Sequence, residues 1–318
     1  MNKVKKVFLG LAVVVICASA GVLLYAADIA KGSLPAADPQ GYTIVEANGL
    51  RFAIDIRGDI TGIPVMLLHG FPESAVMWDR FMDELTVNGY YAIAPNQRGY
   101  SAGARPDDVE QYQLKYLTSD ILAIADELEL EQFHLIGHDL GALVGWQVAA
   151  ETPDRVLSYG AISVPHIDAL SKAYREDTTQ YAASAYVRFF QKDFLPEFMM
   201  AKSNYELLRS IWSQHEAAEV EHYINIFGQE TALRSVLNWY RANFPLFAND
   251  SNTGKVKVPV TFIWGNQDHA LKRSGVDDTK NYVEGDYTFI EMDTGHWIIQ
   301  EEYQELSAHL LEHLAKYK

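Results

Sequence analysis

The chain has 318 residues, a hydrophobic content of 48% and a formal net charge of −16 at pH 7. This length allows one large α/β domain with an insertion or two modest domains, and the hydrophobic content is sufficient for a core. The acidic balance argues against nucleic acid and acidic lipid as main partners, because proteins that bind them carry basic patches. We interpret the charge as a contribution to solubility.

The first 27 residues differ from the rest. Lys3, Lys5 and Lys6 precede an uncharged apolar run over residues 7–27, a pattern typical of a secretory signal peptide or an uncleaved membrane anchor. A small-x-small site at 18–20 favours cleavage, but the run of 21 residues also suffices to span a bilayer, which needs about 20. Either outcome places the remaining chain outside the cytoplasm, periplasmic or secreted if the leader is cleaved and membrane-anchored if it is not.

Residues 28–40 are predicted to link this leader to the folded domain, because they contain Gly32, Pro35 and Pro39. Cys17, which is the only cysteine, lies in the leader. The folded domain can therefore form no internal disulfide and has no thiol chemistry.

Hydrophobic periodicity beyond the linker predicts strands that alternate with helices. Asn48-Gly49, between two alternating segments, is a strong hairpin signal. The predicted strands cover residues 42–47, 51–57, 64–68, 90–94, 133–136, 156–163, 258–264 and 287–292. The predicted helices cover residues 76–87, 111–130, 142–151 and 297–316. This alternation implies a mostly parallel sheet with helices on both faces.

The strand pattern stops between residues 165 and 252, where the sequence is helix-forming and unusually aromatic. We predict that residues 165–252 form a helical cap. The cap would be inserted into an α/β core domain made of residues 41–164 and 253–318.

A glycine-flanked aspartate, Asp139, lies between the predicted strand 133–136 and the helix that follows. Gly137 and Gly141 stand two positions to either side, which is the small-x-nucleophile-x-small pattern of a nucleophile elbow. The elbow usually carries serine, whereas a carboxylate can attack an activated sp3 carbon and give an ester that water later hydrolyses. The alternative is an ordinary tight turn with a helix-capping aspartate.

Two further candidates follow later strands. Asp268 comes just after strand 258–264, and His296 follows strand 287–292. Reactive groups gather at the carboxyl ends of strands in open α/β sheets. Nucleophile, acid and histidine, in this chain order, form the triad of α/β-hydrolases. We therefore predict Asp139 as nucleophile, His296 as general base and Asp268 as the acid that orients it.

Three other acids compete with Asp268. Asp277 and Asp278 fall in a predicted solvated helix, and Asp293 precedes the histidine too closely to turn back easily on its ring. Some hydrolases of this fold take the acid from the strand before the cap, but here that strand ends at Ser163. Asp268 is therefore favoured.

The segment 69–72, with the sequence His-Gly-Phe-Pro, follows the third predicted strand. In this fold one oxyanion donor is the backbone N–H of the residue after the nucleophile, here Leu140, and the other comes from the loop after the third strand. Phe71 occupies that second position, and Pro72 fits a cis peptide in a tight turn. The alternative is a loop punctuated by glycine and proline.

Three of these segments, 69–74, 137–141 and 295–297, resemble the epoxide hydrolases of the α/β-hydrolase superfamily. The resemblance runs from about residue 42 to the C-terminus. It implies an α/β-hydrolase fold, a mostly parallel sheet flanked by helices with an inserted helical cap. In the cap, segments 184–191 and 237–243 match those that carry the family's ring-opening tyrosines, here Tyr186 and Tyr240. The implied reaction takes a small apolar epoxide and water to a vicinal diol, without cofactor or metal.

One position departs from the family pattern. Many epoxide hydrolases and the haloalkane dehalogenases carry tryptophan directly after the nucleophile, where this chain has Leu140. The dehalogenase indole grips the leaving halide, so its absence weakens the alternative of a haloalkane dehalogenase-type hydrolase with the same nucleophile. A third alternative is a binding protein of this fold, against which the intact triad argues. The natural epoxide, the stereoselectivity and the oligomeric state are not predicted.

Overall fold

Eight strands form one sheet in the computed structural model, which describes residues 41–249 and 251–318. The strand order is β1-β2-β4-β3-β5-β6-β7-β8. Pairs β1–β2 and β2–β4 are antiparallel, and all later pairs are parallel. The strands are β1 Thr43–Ala47, β2 Leu50–Arg57, β3 Ile63–Leu68, β4 Tyr90–Pro95, β5 Phe133–His138, β6 Val156–Ile162, β7 Val260–Gly265 and β8 Tyr287–Met292. The sheet is mostly parallel, as the alternation of elements predicts.

The first connection is the hairpin that the sequence predicts. Asn48 and Gly49 join β1 to β2 with φ values of 52° and 73°. Asparagine and glycine tolerate this left-handed backbone, which two-residue hairpin turns require.

Helices cover both faces of the sheet. They are α1 Asp79–Val87, α2 Leu114–Glu127, α3 Leu140–Glu151, α4 Ile167–Glu176, α5 Thr178–Ala183, α6 Ala185–Phe189, α7 Leu195–Ile211 with a break at 202–205, α8 Ala217–Phe227, α9 Ala232–Ala248, α10 Arg273–Asp278, α11 Ile298–Glu301 and α12 Tyr303–Lys316. Short 3₁₀ helices precede α1 and α2. Helix α3 begins at Leu140, two residues earlier than predicted, because the turn at Asp139 passes directly into it.

The core lies on both sides of the central strands because successive side chains point to opposite faces. Val65 and Leu67 pack with α1 and α12 in one cluster of buried side chains, whereas Met66 and Leu68 belong to the cluster that includes α2 and α3. All four side chains are fully buried. This explains why β3 appears in the sequence as a continuous apolar run.

Helices α4 to α9 lie between β6 and β7, in the interval 165–252 that we call the cap. Helix α9 attaches the cap to the core through polar contacts. The Trp239 indole N–H donates to the Arg98 carbonyl at 2.7 Å. The Asn243 amide accepts from the Leu114 N–H at 2.7 Å and donates to the Tyr112 carbonyl at 2.9 Å. The cap is thereby held over the carboxyl ends of the strands.

The predicted leader, residues 1–27, and the predicted linker, residues 28–40, lie outside the described residues. Among residues 41–249 and 251–318, no helix has both the length and the apolar character that a bilayer crossing requires.

Candidate active site

Asp139 lies in the tight turn between β5 and α3. Its backbone has φ 51° and ψ −121°, which non-glycine residues rarely adopt and which stores strain. Crowding explains the flanking glycines. A Cβ at Gly141 would lie 2.2 Å from the Leu68 carbonyl oxygen, and one at Gly137 would lie 2.5 Å from the Gly141 carbonyl oxygen. The turn lifts the Asp139 side chain above the carboxyl end of the sheet.

The two carboxylate oxygens of Asp139 have different surroundings. Oδ1 accepts a 2.8 Å hydrogen bond from the Phe71 N–H, in the loop whose Phe71–Pro72 bond is cis. The Leu140 N–H opens α3, where first-turn N–H groups have no intrahelical acceptor. Oδ2 lies 3.4 Å from His296 Nε2. One oxygen is therefore held at the candidate oxyanion donor, and the other faces the imidazole.

His296 is oriented by Asp268. His296 Nδ1 and Asp268 Oδ2 are 2.7 Å apart, and Asp268 Oδ1 accepts the N–H groups of Ala270 and Leu271 at 2.7 and 3.0 Å. Asp268 is only 3% exposed. Its carboxylate is thus fixed by three hydrogen bonds, and it fixes the imidazole with Nε2 toward Asp139.

The three competing acids lie elsewhere. Asp277 and Asp278 are on α10, where Asp278 pairs with Lys172 at 3.1 Å. Asp293 is exposed. Among the described residues, Asp268 is the acid that contacts Nδ1 of the histidine.

The pKa of His296 is set by opposing effects. Burial lowers it, but the charge of Asp268 and the contacts with both carboxylates raise it well above its ordinary value. These contacts therefore favour the protonated imidazole in the free enzyme. Loss of the Asp139 charge would remove one of the causes of this raised pKa.

Tyr186 on α6 and Tyr240 on α9 lie together in the cap, close to the Phe71 ring. Their ring centroids are 6.0 Å apart with an interplanar angle of 81°, and Tyr240 lies 5.5 Å from the Phe71 ring. Within the described part of the chain, the structure gives neither hydroxyl a hydrogen-bond partner. Burial raises the pKa of both phenols, and the charge of Asp139 raises each further. Both therefore remain protonated donors.

An apolar cavity lies beside Leu140, the residue that follows Asp139. The lining side chains with polar atoms are Trp239, Tyr240 and Asn243, and the Trp239 indole and the Asn243 amide are already used in contacts with backbone atoms. The aliphatic and aromatic lining includes Leu140, Leu143, Val144, Ile167, Leu246 and Phe247. This wall favours an apolar ligand group.

The sequence motifs did not identify the residues that hold the His296 loop. The His296 carbonyl accepts from Ser163 Oγ at 2.9 Å and lies 3.1 Å from His138 Nε2. His138 Nδ1 lies 3.1 Å from Glu73 Oε2, with both side chains fully buried. Burial raises the pKa of Glu73, but hydrogen bonds from His138 and His215 outweigh it and lower the value to about 2. Glu73 is therefore ionised.

Two of these residues lie within the sequence motifs themselves. Glu73 is in the segment 69–74 with Phe71, and His138 is in the segment 137–141 with Asp139. Their mutual contact joins positions 65 residues apart. Glu73 also belongs to a group that could hold a metal ion, with His215 and Glu219.

The chain is similar to known proteins of one family. Residues 63–303 match the alpha/beta hydrolase fold family. The chain is 30% identical over 317 residues to Epoxide hydrolase A of Mycobacterium tuberculosis, covering 85% of this chain and 96% of that one. It is 30% identical over 274 residues to human Epoxide hydrolase 4, covering 82% of this chain and 75% of that one.

Among solved structures, an epoxide hydrolase from Bacillus megaterium in complex with an inhibitor is similar, with a TM-score of 0.79 and 26% identity. The alignment covers 86% of this chain and 100% of that one. The protein therefore belongs to the α/β-hydrolase family and, within it, to the group of the epoxide hydrolases.

Proposed function

We propose that this protein hydrolyses an apolar epoxide to a vicinal diol through an ester on Asp139. The observation that carries the proposal is the placement of two phenols without protein partners in one site with a carboxylate nucleophile. An epoxide carbon is a poor electrophile until charge on its oxygen is stabilised. Two phenol donors supply that stabilisation, whereas an acyl-transfer enzyme has no need of them.

In the first step, Asp139 Oδ2 attacks one epoxide carbon and forms a C–O bond to it. The bond between that carbon and the epoxide oxygen breaks, and Tyr186 and Tyr240 hydrogen-bond to the developing alkoxide. The alkoxide takes up the proton of one phenol, which becomes a phenolate. The product is an ester between Asp139 and the opened substrate. Oδ1 is now its carbonyl oxygen and lies in hydrogen-bond contact with the Phe71 N–H.

In the second step, His296 removes a proton from water, and the resulting hydroxide attacks the ester carbonyl carbon. Negative charge develops on Oδ1, where the Phe71 N–H already donates and the Leu140 N–H can join it. The bond between this carbon and the substrate oxygen breaks, and the leaving oxygen takes the proton from His296, which releases the diol. The new carboxyl group loses its proton, by way of solvent, to the phenolate of the first step, which restores the carboxylate and the phenol. Asp268 stabilises the imidazolium that forms.

The cavity beside Leu140 supports an apolar substituent on the epoxide. A bound carboxylate or phosphate group would lose its hydration there without gaining a partner, and burial of an unpaired charge is costly. Epoxides with an aryl or alkyl group, such as styrene oxide, are therefore suitable first substrates.

Replacement of both Tyr186 and Tyr240 by phenylalanine tests the reaction class. Loss of a single oxyanion donor typically costs about 10²–10³ in rate, so we expect diol formation in the double variant to fall by at least about that factor. Haloalkane turnover, measured in parallel, does not require the phenols. Tyr181→Phe, which changes an exposed cap tyrosine, serves as the matched control. Unchanged epoxide turnover in the double variant would refute the proposal, and retained haloalkane activity would favour the dehalogenase alternative.

The pH dependence of the two steps should also differ. In the free enzyme the Asp139 and Asp268 charges raise the pKa of His296, but the ester no longer carries the Asp139 charge. The pKa of His296 should therefore fall once the ester forms, which frees the neutral base that the second step needs. We expect ester hydrolysis to accelerate with pH through a pKa below that found for His296 in the free enzyme by NMR titration. An equal or higher kinetic pKa would contradict this account.

For residues 1–27 we propose the role that their sequence suggests, export from the cytoplasm. The basic start and the apolar run support it. Fractionation of cells that produce the full chain, with the N-terminus identified by mass spectrometry, distinguishes a cleaved signal from an anchor. An intact N-terminus on a cytoplasmic protein would exclude both.

A further inference from the structure

A second group of polar side chains lies where the cap meets the core, behind the His296 loop. We call it the Glu73 cluster, and it consists of Glu73, His215, Glu219 and Gln300. Glu73 follows β3, and Gln300 is on α11. His215 lies just before α8, and Glu219 lies in the first turn of that helix. The proposed reaction uses none of the four.

The cluster is closely packed. His215 Nε2 lies 2.9 Å from Glu73 Oε1, and both side chains are fully buried. The Gln300 amide nitrogen is 2.8 Å from Glu73 Oε1 and 3.2 Å from Glu219 Oε1. One ligand atom each from Glu73, His215 and Glu219 lies within 4.8 Å of the other two. Two segments distant in sequence, the loop after β3 and the start of α8, thus bring two carboxylate oxygens and an imidazole nitrogen close together.

From this geometry we infer that the Glu73 cluster is a binding site for a divalent transition-metal ion, with Zn²⁺ as the best match. Zinc takes imidazole nitrogen and carboxylate oxygen at about 2.0–2.2 Å in tetrahedral sites. Ligand atoms around such an ion are about 3.4 Å apart by tetrahedral geometry. His215 Nε2 and Glu73 Oε1 are 2.9 Å apart and the three ligand atoms lie within 4.8 Å of one another, so an ion requires the first pair to separate slightly and the three side chains to adjust around it.

The charge distribution supports a cation. Two carboxylates, Glu73 and Glu219, face each other across Gln300, and within the described residues neither contacts a lysine or an arginine. The basic side chains that contact Glu73 are the imidazoles of His138 and His215, and Glu219 contacts the Gln300 amide and the Tyr223 hydroxyl. Burial of like charges at this distance is unfavourable unless a cation lies between them. A divalent ion at this point would satisfy both carboxylates at once.

The hydrogen bonds of Gln300 supply an independent indication. Its Oε1 atom and His215 Nδ1 are buried without a partner among the described residues. A half-turn of this amide exchanges its nitrogen and oxygen, and would place Oε1 beside both carboxylates. That orientation is repulsive in the empty cluster but provides a fourth oxygen ligand to a metal ion.

Neighbouring contacts already orient the ligands. His138 hydrogen-bonds to the other oxygen of Glu73, and the Tyr223 hydroxyl donates to Glu219. Such contacts to metal-binding carboxylates fix their direction. His215 would bind through the Nε2 lone pair with its proton on Nδ1. Because the ligands come from the cap and the core, a bound ion would tie the two together.

The test is a zinc titration of the chelator-treated full-length protein by calorimetry, with thermal unfolding followed at the same zinc concentrations. We expect one zinc ion per chain and a melting temperature that rises with zinc concentration. His215→Gln and Glu219→Gln should each weaken binding by about tenfold or more and remove the rise. His222→Gln, on the same helix as Glu219, is the matched control and should bind as the wild type does.

Cobalt gives a second measurement, because tetrahedral Co²⁺ has a visible absorption spectrum that does not depend on enzyme activity. The wild type and His222→Gln should show this spectrum, and His215→Gln should not. The inference is overturned if the wild type binds no metal. It is also overturned if correctly folded His215→Gln and Glu219→Gln bind zinc as tightly as the control, which would place the ion elsewhere.

Discussion

The Asp139→Ala variant is expected to release no measurable diol from an epoxide that the wild-type protein hydrolyses. The substitution removes the oxygen that forms the bond to substrate carbon, and removal of a covalent nucleophile costs about 10⁴-fold or more in kcat. The remaining groups cannot replace it, because Tyr186 and Tyr240 act as hydrogen-bond donors and His296 acts on water in the second step. Diol release measured by chromatography over several hours would detect residual turnover.

Asp293→Ala is the matched control for this experiment. Asp293 lies on the loop that carries His296 but is exposed, and its removal should leave turnover near the wild-type value. Circular dichroism and the melting temperature of both variants check that the strained turn at Asp139 still forms. Substantial diol release by folded Asp139→Ala would mean that water attacks the epoxide directly, or that another group is the nucleophile.

The His296→Ala variant is expected to trap the enzyme as an ester. The first step needs only Asp139 and the two phenols, so it should proceed. The second step loses its general base, which typically contributes about 10²–10⁴ in rate. Proteolysis and mass spectrometry should then find the peptide that contains Asp139 heavier by the mass of one epoxide.

His309→Ala, which replaces a histidine on the surface of α12, should turn over normally and accumulate no ester. The experiment requires an epoxide that the wild type converts, so that failure to bind substrate is excluded. An unmodified Asp139 peptide in His296→Ala under those conditions would contradict the two-step route.

The fold could be predicted from the sequence because its strands and turns depend on patterns within short segments. The run 64–68 predicts a strand buried on both faces, and β3 extends it by one residue to Ile63–Leu68. The turn at Asp139 could be predicted because steric crowding within a few residues of the nucleophile requires glycine at positions 137 and 141. The rules for parallel sheets limit the possible strand orders once the alternation of elements is known, but they do not fix the order.

The contacts around the His296 loop could not be predicted in the same way. The contact from Gln300 to Glu73 joins residues 227 positions apart, and no periodicity carries information over that distance. His215 lies in an irregular segment of the cap, where it has no motif to mark it. The buried pairing of Glu73 and His138 becomes visible only when β3 and β5 lie side by side in the sheet. Catalytic candidates at the ends of strands can therefore be predicted from the sequence, whereas the side chains that support them cannot.

The origin of the oxygen atoms in a single turnover tests the ester on Asp139 most directly. With wild-type enzyme in excess over epoxide in ¹⁸O-enriched water, the substrate should receive its new oxygen from Asp139 Oδ2, so the first diol should carry no label. The water oxygen should remain on the protein, as a mass increase in the peptide that contains Asp139. Labelled diol with an unlabelled Asp139 peptide would contradict the account, because water would then have attacked the epoxide itself.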